Sequence, residues 1–517
     1  MPEAPPDILT LYAGAQPEKP AVIDDRADGR VTVWSYAELE RRANRLANAM
    51  RGLGVKPRDR VIWCGMNSPD VVAMSHAARK LGATAVPLNY RLSPDEAAYV
   101  VDDSDAVLVY ADADQRDLFQ AIRGRVPKVH HVVIHGGDAG DALAAGPWLE
   151  AASDEPPPPS TEEAATMIYT SGTTGNPKGA VRRGAGDPEQ LRALVEHIGY
   201  RPDDVYLSTG PLYHSGPGGF MGIAFALGNT VVLQRKFAAE DWLRLVAGHR
   251  VTSTFSAPTP IRMVCALPEA VKARYDRSSL RIMIANAAPW SFALKQAYVR
   301  DFPPQSLWEV YGSTELGVNT VLAPPDQMRK PGSCGRPAPG VDVRLVDEAG
   351  KEVKESHRAG ELFVRSRSVF NTYHKAEDKY EADRRGDFHT VGDVAYFDEE
   401  GFYYICDRKK DMIISGGMNV YPAEIEAALE HHPDVFDVAV FGIPSEEWGE
   451  SVHAVVVPRP GSALGEAEVI AFARQHLAGY KIPRSISFLD ELPRTGSGKI
   501  LKRVLRDPYW KDQARRV

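Results

Sequence analysis

Residues 167–181 read MIYTSGTTGNPKGAV. Behind the apolar run AATMIYT, three Thr, one Ser, three Gly and one Lys fall within a short interval. Small hydroxylated residues and glycines in a row let backbone N–H groups and hydroxyls turn toward one point, and a lysine adds positive charge there, which suits phosphate. A Walker loop, G-x-x-x-x-G-K-[ST] opening a helix, does not fit. Gly172 and Gly175 are three apart, Lys178 follows Pro177, and Gly179 stands where Ser or Thr is needed. AATMIYT reads as a buried strand, while Gly175, Pro177 and Gly179 forbid an immediate helix, so the segment is a flap following a strand.

Outward from this flap, the chain of 517 residues, 44% of them hydrophobic, is long enough for more than one core. A formal charge of -8 argues against a general nucleic-acid binder, because phosphate backbones select basic surfaces. Cys64, Cys265, Cys334 and Cys406 stand far apart, without a CxxC pair or metal-ligand spacing, so neither disulfides nor structural zinc is expected. The start MPEAPPDILTLYAGAQPEKP lacks a basic segment followed by an apolar one, and the longest apolar stretch, FMGIAFALGNTVVL, is broken by Gly and Asn. The expectation is a soluble cytoplasmic protein.

From YAELERRANRLANAMRGLG onward, helical spacing alternates with β-rich runs such as RVIWCG, TAVPLN and AVLVYAD, the pattern of an α/β layered domain with parallel-rich sheets. The run Pro156–Pro159 reads as a surface connection, because the same signals resume beyond it. After GVDVRLVD the strands shorten. Near Arg408 a smaller α+β module begins: helix PAEIEAALEHH, strands VFDVAVFGIP and SVHAVVVP, helix EAEVIAFARQHLAG and a terminal basic helix. The expected division is a large domain over 1–408 and a small one over 409–517.

Three further segments bear on the phosphate reading. YGSTELG offers a flat face in Tyr311, a hydroxyl in Thr314 and in Glu315 a carboxylate able to hold Mg²⁺. HTVGDVAYFDEEGFYYICDRKKDMIISGG supplies Asp393 as an acceptor for ribose hydroxyls and Arg408 as a fixed donor. LPRTGSGKI presents Lys499 on a Gly/Ser loop. Together, in this order, the four segments resemble the adenylate-forming superfamily of acyl-CoA synthetases, nonribosomal adenylation domains and luciferases, over about residues 20–505.

The resemblance implies an ATP-dependent acid–CoA ligase. A carboxylate attacks the α-phosphate of ATP, pyrophosphate leaves, and a thiol captures the acyl-AMP. Thr170, Ser171, Gly172, Thr173, Thr174, Gly175 and Lys178 would then hold the β- and γ-phosphates, Glu315 Mg²⁺ and Thr314 the α-phosphate. Tyr311, Gly312, Ala287 and Ala288 would lie at the adenine, Asp393 and Arg408 at the ribose, and Lys499 would bridge carboxylate and α-phosphate. By the same resemblance the small domain is mobile. It swings about Lys410, two residues past the ribose-binding Arg, and passes the pantetheine arm of CoA beside Gly416 and Gly417.

The acyl group is expected against His214, Gly216, Gly312 and Val318, with Gly218 and Gly219 leaving volume and Phe220, Met221 and Trp290 as apolar wall. Short-acid members of the family carry a bulky aromatic where this chain has Gly312, so the expected acid is medium-to-long-chain or bulky and hydrophobic; steroid-like, alicyclic and aromatic acids stay open. CoA is favoured as acceptor, since no carrier domain follows and seven Lys/Arg against two Asp from Lys499 to Val517 could attract its phosphates. A stand-alone acyl-AMP ligase serving a carrier protein and a non-catalytic nucleotide-binding relative are the alternatives. The expected partners are a carboxylic acid, ATP and CoA, with a homodimer left open.

Overall fold

Apolar runs such as Thr230–Leu233 (TVVL) and Ile282–Ala285 (IMIA) have no polar face to turn to water. Both are buried along their whole length inside a nine-stranded sheet, as strands covered on both sides must be. The computed structural model describes residues 7–170, 177–184, 186–288, 290–408, 411–415, 418–494 and 500–511, with Arg408 described by its backbone alone. The middle of the nine-stranded sheet is parallel, from Leu307–Ser313 through Ile282–Ala285, Ser253–Ser256, Val205–Ser208 and Thr230–Leu233 to Pro20–Asp25. Antiparallel strands close its margins, Val31–Ser35 on one side and Gly317–Leu322 on the other.

An eight-stranded sheet is built likewise. Ala165–Thr170, Thr84–Leu88, Arg60–Cys64, Ala106–Asp112 and His131–His135 run parallel, and Lys178–Arg183 then Thr372–Tyr373 add antiparallel edges beyond Ala165–Thr170. Asn67 ties the two sheets together. Its Nδ2 donates to Ser208 Oγ at 3.2 Å and to the Gly210 and Gln234 carbonyls at 3.0 Å, and its Oδ1 accepts from Leu212 N at 2.9 Å. This fixes the turn that launches the helix Ser215–Ala226.

A seven-stranded antiparallel sheet occupies residues 342–408. Beyond it lies a five-stranded sheet whose long hairpin, Val435–Ser445 with Gly449–Pro458, carries the helices Pro422–Leu429 and Glu466–His476 on one face through Ile425, Leu429, Val469 and Ala473. Among the described residues the buried apolar clusters divide at this point. Those of the large part end at Ala395 and those of the small part begin at Ile413.

One sequence expectation needs correction. Ala165–Thr170 is not a buried strand throughout: only Met167 is fully buried, because the rest of the strand opens onto a cavity. The expected terminal basic helix is present as Lys502–Arg506, followed by a tighter turn at Asp507–Tyr509, where Pro508 cannot donate to the helix ladder. All four cysteines are unpaired, and burial pushes the thiols of Cys265, Cys334 and Cys406 up to about 12.

Candidate active site

Thr170 and Lys178 are register partners at the mouth of the antiparallel pair Ala165–Thr170 and Lys178–Arg183, so the segment expected to hold phosphate is anchored at both ends at one place in the sheet. Alternation along the second strand puts Lys178, Ala180 and Arg182 on a common face. Thr170 Oγ1 donates to Glu315 Oε1 at 3.0 Å, and the Tyr373 hydroxyl donates to the same oxygen at 3.1 Å. Glu315 is 8% exposed and its backbone carbonyl accepts from Phe370 N at 2.7 Å, so both main chain and carboxylate are fixed. Arg182 Nη2 donates to the Thr314 carbonyl at 3.0 Å, and Nη1 to that of Ser368. Burial lowers the pKa of this guanidinium, an effect the Glu315 charge opposes. Thr314 Oγ1 meets Ser215 Oγ at 2.7 Å, which joins the Glu315 turn to the start of the helix Ser215–Ala226.

Asp393 and Arg408, expected at the ribose, lie on neighbouring strands. Asp393 stands in register with Arg408 across the hairpin Asp393–Phe397/Tyr403–Arg408, and Asp393 accepts from the Tyr311 hydroxyl. Tyr311 in turn precedes a bulge where Leu307–Ser313 pairs with Gly317–Leu322, a device that re-aims side chains beside sites. Ala287 adopts φ 70°, the left-handed conformation that costs an L-residue about 1 kcal/mol. Its N–H donates to Asn286 Oδ1, and Asn286 Nδ2 donates to the Val310 carbonyl.

One cavity of about 2880 Å³ gathers these groups. Its wall includes Thr170, Lys178, Ala287, Ala288, Tyr311, Gly312, Thr314, Glu315 and Asp393, and on the acyl side His214, Gly216 and Val318. Trp290, Phe220 and Met221 lie on it as well. Ser171, Gly172, Thr173, Thr174, Gly175, Lys410, Gly416, Gly417 and Lys499 fall outside the described residues, as does the Arg408 side chain. Arg494 and Ile500, the residues flanking 495–499, pair as an antiparallel bridge and both line the cavity.

Most of the glycines expected to open acyl space do not. A Cβ on Gly312 would lie 2.1 Å from the Gly317 carbonyl oxygen, one on Gly216 2.4 Å from Phe255 Cζ, and one on Gly218 2.9 Å from the Leu212 carbonyl oxygen. These glycines permit close packing and do not mark open volume. The open directions are at Gly219 and Gly222; neither has an atom within 4 Å of its added Cβ. The basic C-terminal stretch is also less available to CoA than its count suggests. Lys502 pairs with Glu426 at 2.8 Å and Arg506 with Asp411 at 3.2 Å.

Ser215, Tyr373 and Arg182 were not singled out from sequence. Arg182 alone left a signal, two residues beyond Ala180 and four beyond Lys178 on a strand of period two. The small part meets the large one at Arg262, on the helix Pro258–Cys265: Nη1 donates to the Phe436 carbonyl at 3.3 Å and lies 3.8 Å from Asp437. Asp437 also accepts from Arg494.

A buried carboxylate beside a phosphate flap fits Mg²⁺, which takes one or two carboxylates and completes its shell with phosphate oxygens and water. The model for the AMP-binding enzyme family matches residues 10–374, and that for the AMP-binding enzyme C-terminal domain matches 424–499. The feruloyl-CoA synthase of an Amycolatopsis species is 38% identical over 482 residues, 92% of this chain and 94% of the relative. The crystal structure of ATP-bound MatB from Rhodopseudomonas palustris superposes with a TM-score of 0.85 at 30% identity, covering 98% of this chain and 99% of that one. The anthranilate CoA ligase AuaEII in complex with anthranoyl-AMP superposes at 0.87 with 27% identity, covering 97% and 96%. The chain belongs to the AMP-binding enzyme family. It is an AMP-forming acid–CoA ligase that works with ATP, Mg²⁺ and CoA.

Proposed function

We propose that the chain activates a bulky or medium-to-long hydrophobic carboxylic acid as its adenylate and transfers the acyl group to CoA, with the residue roles that follow. The observation that carries this reading is the Thr170–Glu315–Tyr373 network on the wall of the cavity that also receives Tyr311 and Asp393. A carboxylate attacking a polyanion must overcome charge repulsion, so cations have to stand around the phosphorus beforehand. Glu315 would hold Mg²⁺, which supplies positive charge to the phosphate oxygens. Thr170 and Tyr373 orient that carboxylate by donating to one of its oxygens. Lys178, at the re-entry of the flap, and Lys499 add positive charge at the leaving and attacked phosphates, and Thr314 donates to the α-phosphate. Asp393 and Arg408 bind the ribose hydroxyls, and Tyr311 with Ala287 and Ala288 flanks the base. Gly416 and Gly417 admit the thiol arm.

The segregation of the apolar cores supports a boundary at 408–409 with rotation about Lys410. Two of these relatives are named for aryl acids, feruloyl-CoA synthase and anthranilate CoA ligase, and the apolar chamber beside Phe220 and Met221 suits that class or a longer one. No described helix is long and apolar enough to cross a membrane. Four unpaired thiols, three of them buried, fit a reducing compartment, in keeping with a cytoplasmic enzyme. A homodimer is part of the proposal, and a single-chain mass by light scattering overturns that part.

AMP release with ATP, Mg²⁺ and CoA across a panel of aryl, alicyclic and alkyl acids tests the substrate class; turnover confined to short acids such as acetate overturns it. Lys499→Ala should slow acid-dependent pyrophosphate exchange about a hundredfold, as loss of a preorganised charge does. Gly417→Leu should leave that exchange near wild type and slow thioester formation from preformed acyl-AMP. Equal loss in both half-reactions overturns the two-state reading.

A further inference from the structure

The acyl side of the cavity ends on a polar group that no part of the adenylation chemistry uses. His76 lies on the helix Pro69–Lys80, is 4% exposed and lines the cavity. Its ring meets Phe225 edge-on at 5.0 Å between centroids; its Nδ1, sealed from the cavity, has no hydrogen-bond partner among the described residues, which leaves Nε2 as the ring nitrogen a ligand can meet. Burial, then the charges of Arg79 and Lys80, hold its pKa well below the ordinary value, so the imidazole is neutral and carries one N–H donor and one acceptor nitrogen. On the same helix Val72, Ser75 and Arg79 also line the cavity, and a buried polar group such as this imidazole is expected to have a partner when the site is filled.

Position along the helix Ser215–Ala226 sets the distance from the reacting end. Ser215, at its first turn, touches Thr314, and Phe225, near its last, touches His76. Ten residues of helix span about 15 Å, comparable to an extended acyl chain of about a dozen carbons or a fused-ring acid of similar length. Between the two ends Gly219 and Gly222 line the same cavity and leave the space beside them empty, with Val72 and Ile223 as apolar wall.

We propose that this chamber takes a long or fused-ring carboxylic acid bearing a hydroxyl or carbonyl oxygen at the end remote from the carboxylate, and that His76 hydrogen-bonds that oxygen. The inference rests on the ligase reading and narrows its substrate. A site built to pair a substrate oxygen discriminates against the analogue that lacks it, because the protein's own polar group is then buried unpaired.

The test compares kcat/KM for ω-hydroxydodecanoate and dodecanoate, each followed by AMP release with CoA present. The wild-type ratio is expected to favour the hydroxy acid by about tenfold or more. His76→Phe should bring the ratio to one or below, and His76→Gln, which retains a donor and an acceptor, should restore part of it. A wild-type ratio of one or less, or a ratio that His76→Phe leaves in place, overturns the proposal. So does failure of both probes where short aryl acids are turned over. AMP release with no acid at all in the panel is a different outcome: it overturns the ligase reading, and this inference with it.

Discussion

Around Glu315 the large domain ties together residues far apart in sequence, Thr170 from 145 positions away and Tyr373 from 58, through hydrogen bonds to one largely buried carboxylate. The small domain meets the same large domain differently. Arg262 reaches the Phe436 carbonyl and Asp437, and Ser291 donates to Glu430, while no described apolar cluster contains residues from both sides. A buried network cannot be opened without leaving polar groups unpaired, whereas a polar seam exchanges its partners for water at little net cost. On the proposed roles, the difference separates a preorganised half from the half that would move. The floor under the phosphates would be set before substrates arrive, and the part that carries Lys499 would be seated by contacts that release more readily.

The strongest way to break this comparison is to remove charge from the floor while keeping its hydrogen bonds. Glu315→Gln retains an acceptor for Thr170 and Tyr373 but not the carboxylate that suits Mg²⁺. Pyrophosphate exchange should fall about a hundredfold or more, as loss of electrostatic stabilisation at a transferring phosphoryl group does. The melting temperature should stay near wild type, because the network is kept. A variant that loses stability and activity together would mean that Glu315 is mainly a structural residue.

Next in size is the seam itself. Arg262 touches no expected substrate group, yet through Asp437 it faces Arg494, whose strand bridge with Ile500 brackets 495–499. Arg262→Ala removes charge-assisted contacts worth about 1.5 kcal/mol, which corresponds to about a tenfold slower adenylation step. Thioester formation from preformed acyl-AMP should stay within about twofold of wild type, and Arg262→Lys should recover part of the first half-reaction. Equal slowing of both steps would show that Arg262 supports the fold and not one closed state.

The sequence made the floor legible for a physical reason. Phosphate chemistry needs glycines, hydroxyls and a carboxylate in short segments, and these segments sit where alternation of strands and helices places them. Thr170, Thr314, Glu315 and Asp393 all line one cavity, and the pairing of Asp393 with Arg408 follows from one hairpin. What was not legible depends on contacts between distant segments. Tyr373 carries no local motif, and only the edge strand beside Lys178–Arg183 delivers it to Glu315. Glycines misled for a related reason: the letter records a missing side chain, not what fills the space. At Gly312 and Gly216 that space belongs to Gly317 and Phe255. His76 lies on a helix among Val72, Ala73 and Ala77 and reads there as one more core position. Its place on the cavity wall appears only once the cavity is formed.

The smallest expected effect concerns the seam's dependence on pH, and its sign distinguishes the two halves. Burial raises the Glu430 carboxyl above its ordinary 4.5, an effect larger than the opposing pull of Arg262 and the hydrogen bond from Ser291; Asp437 adds to the rise and His431 opposes it. Ser291 and Arg262 belong to the large domain, so part of this burial exists only while the domains are seated together. A carboxyl whose pKa is higher when seated binds more protons in that state, between 4.5 and its raised value. Falling pH through that window therefore favours seating, and rising pH weakens it. Relative to thioester formation, pyrophosphate exchange should gain a few-fold as pH is lowered into the window, and Glu430→Gln, uncharged throughout, should flatten that ratio. A ratio that moves the same way in the variant would place the titrating group elsewhere. A ratio that falls with acid in the wild type would mean that the seam is held by the charged carboxylate on Arg262, making it an ion-pair clasp rather than a desolvated contact.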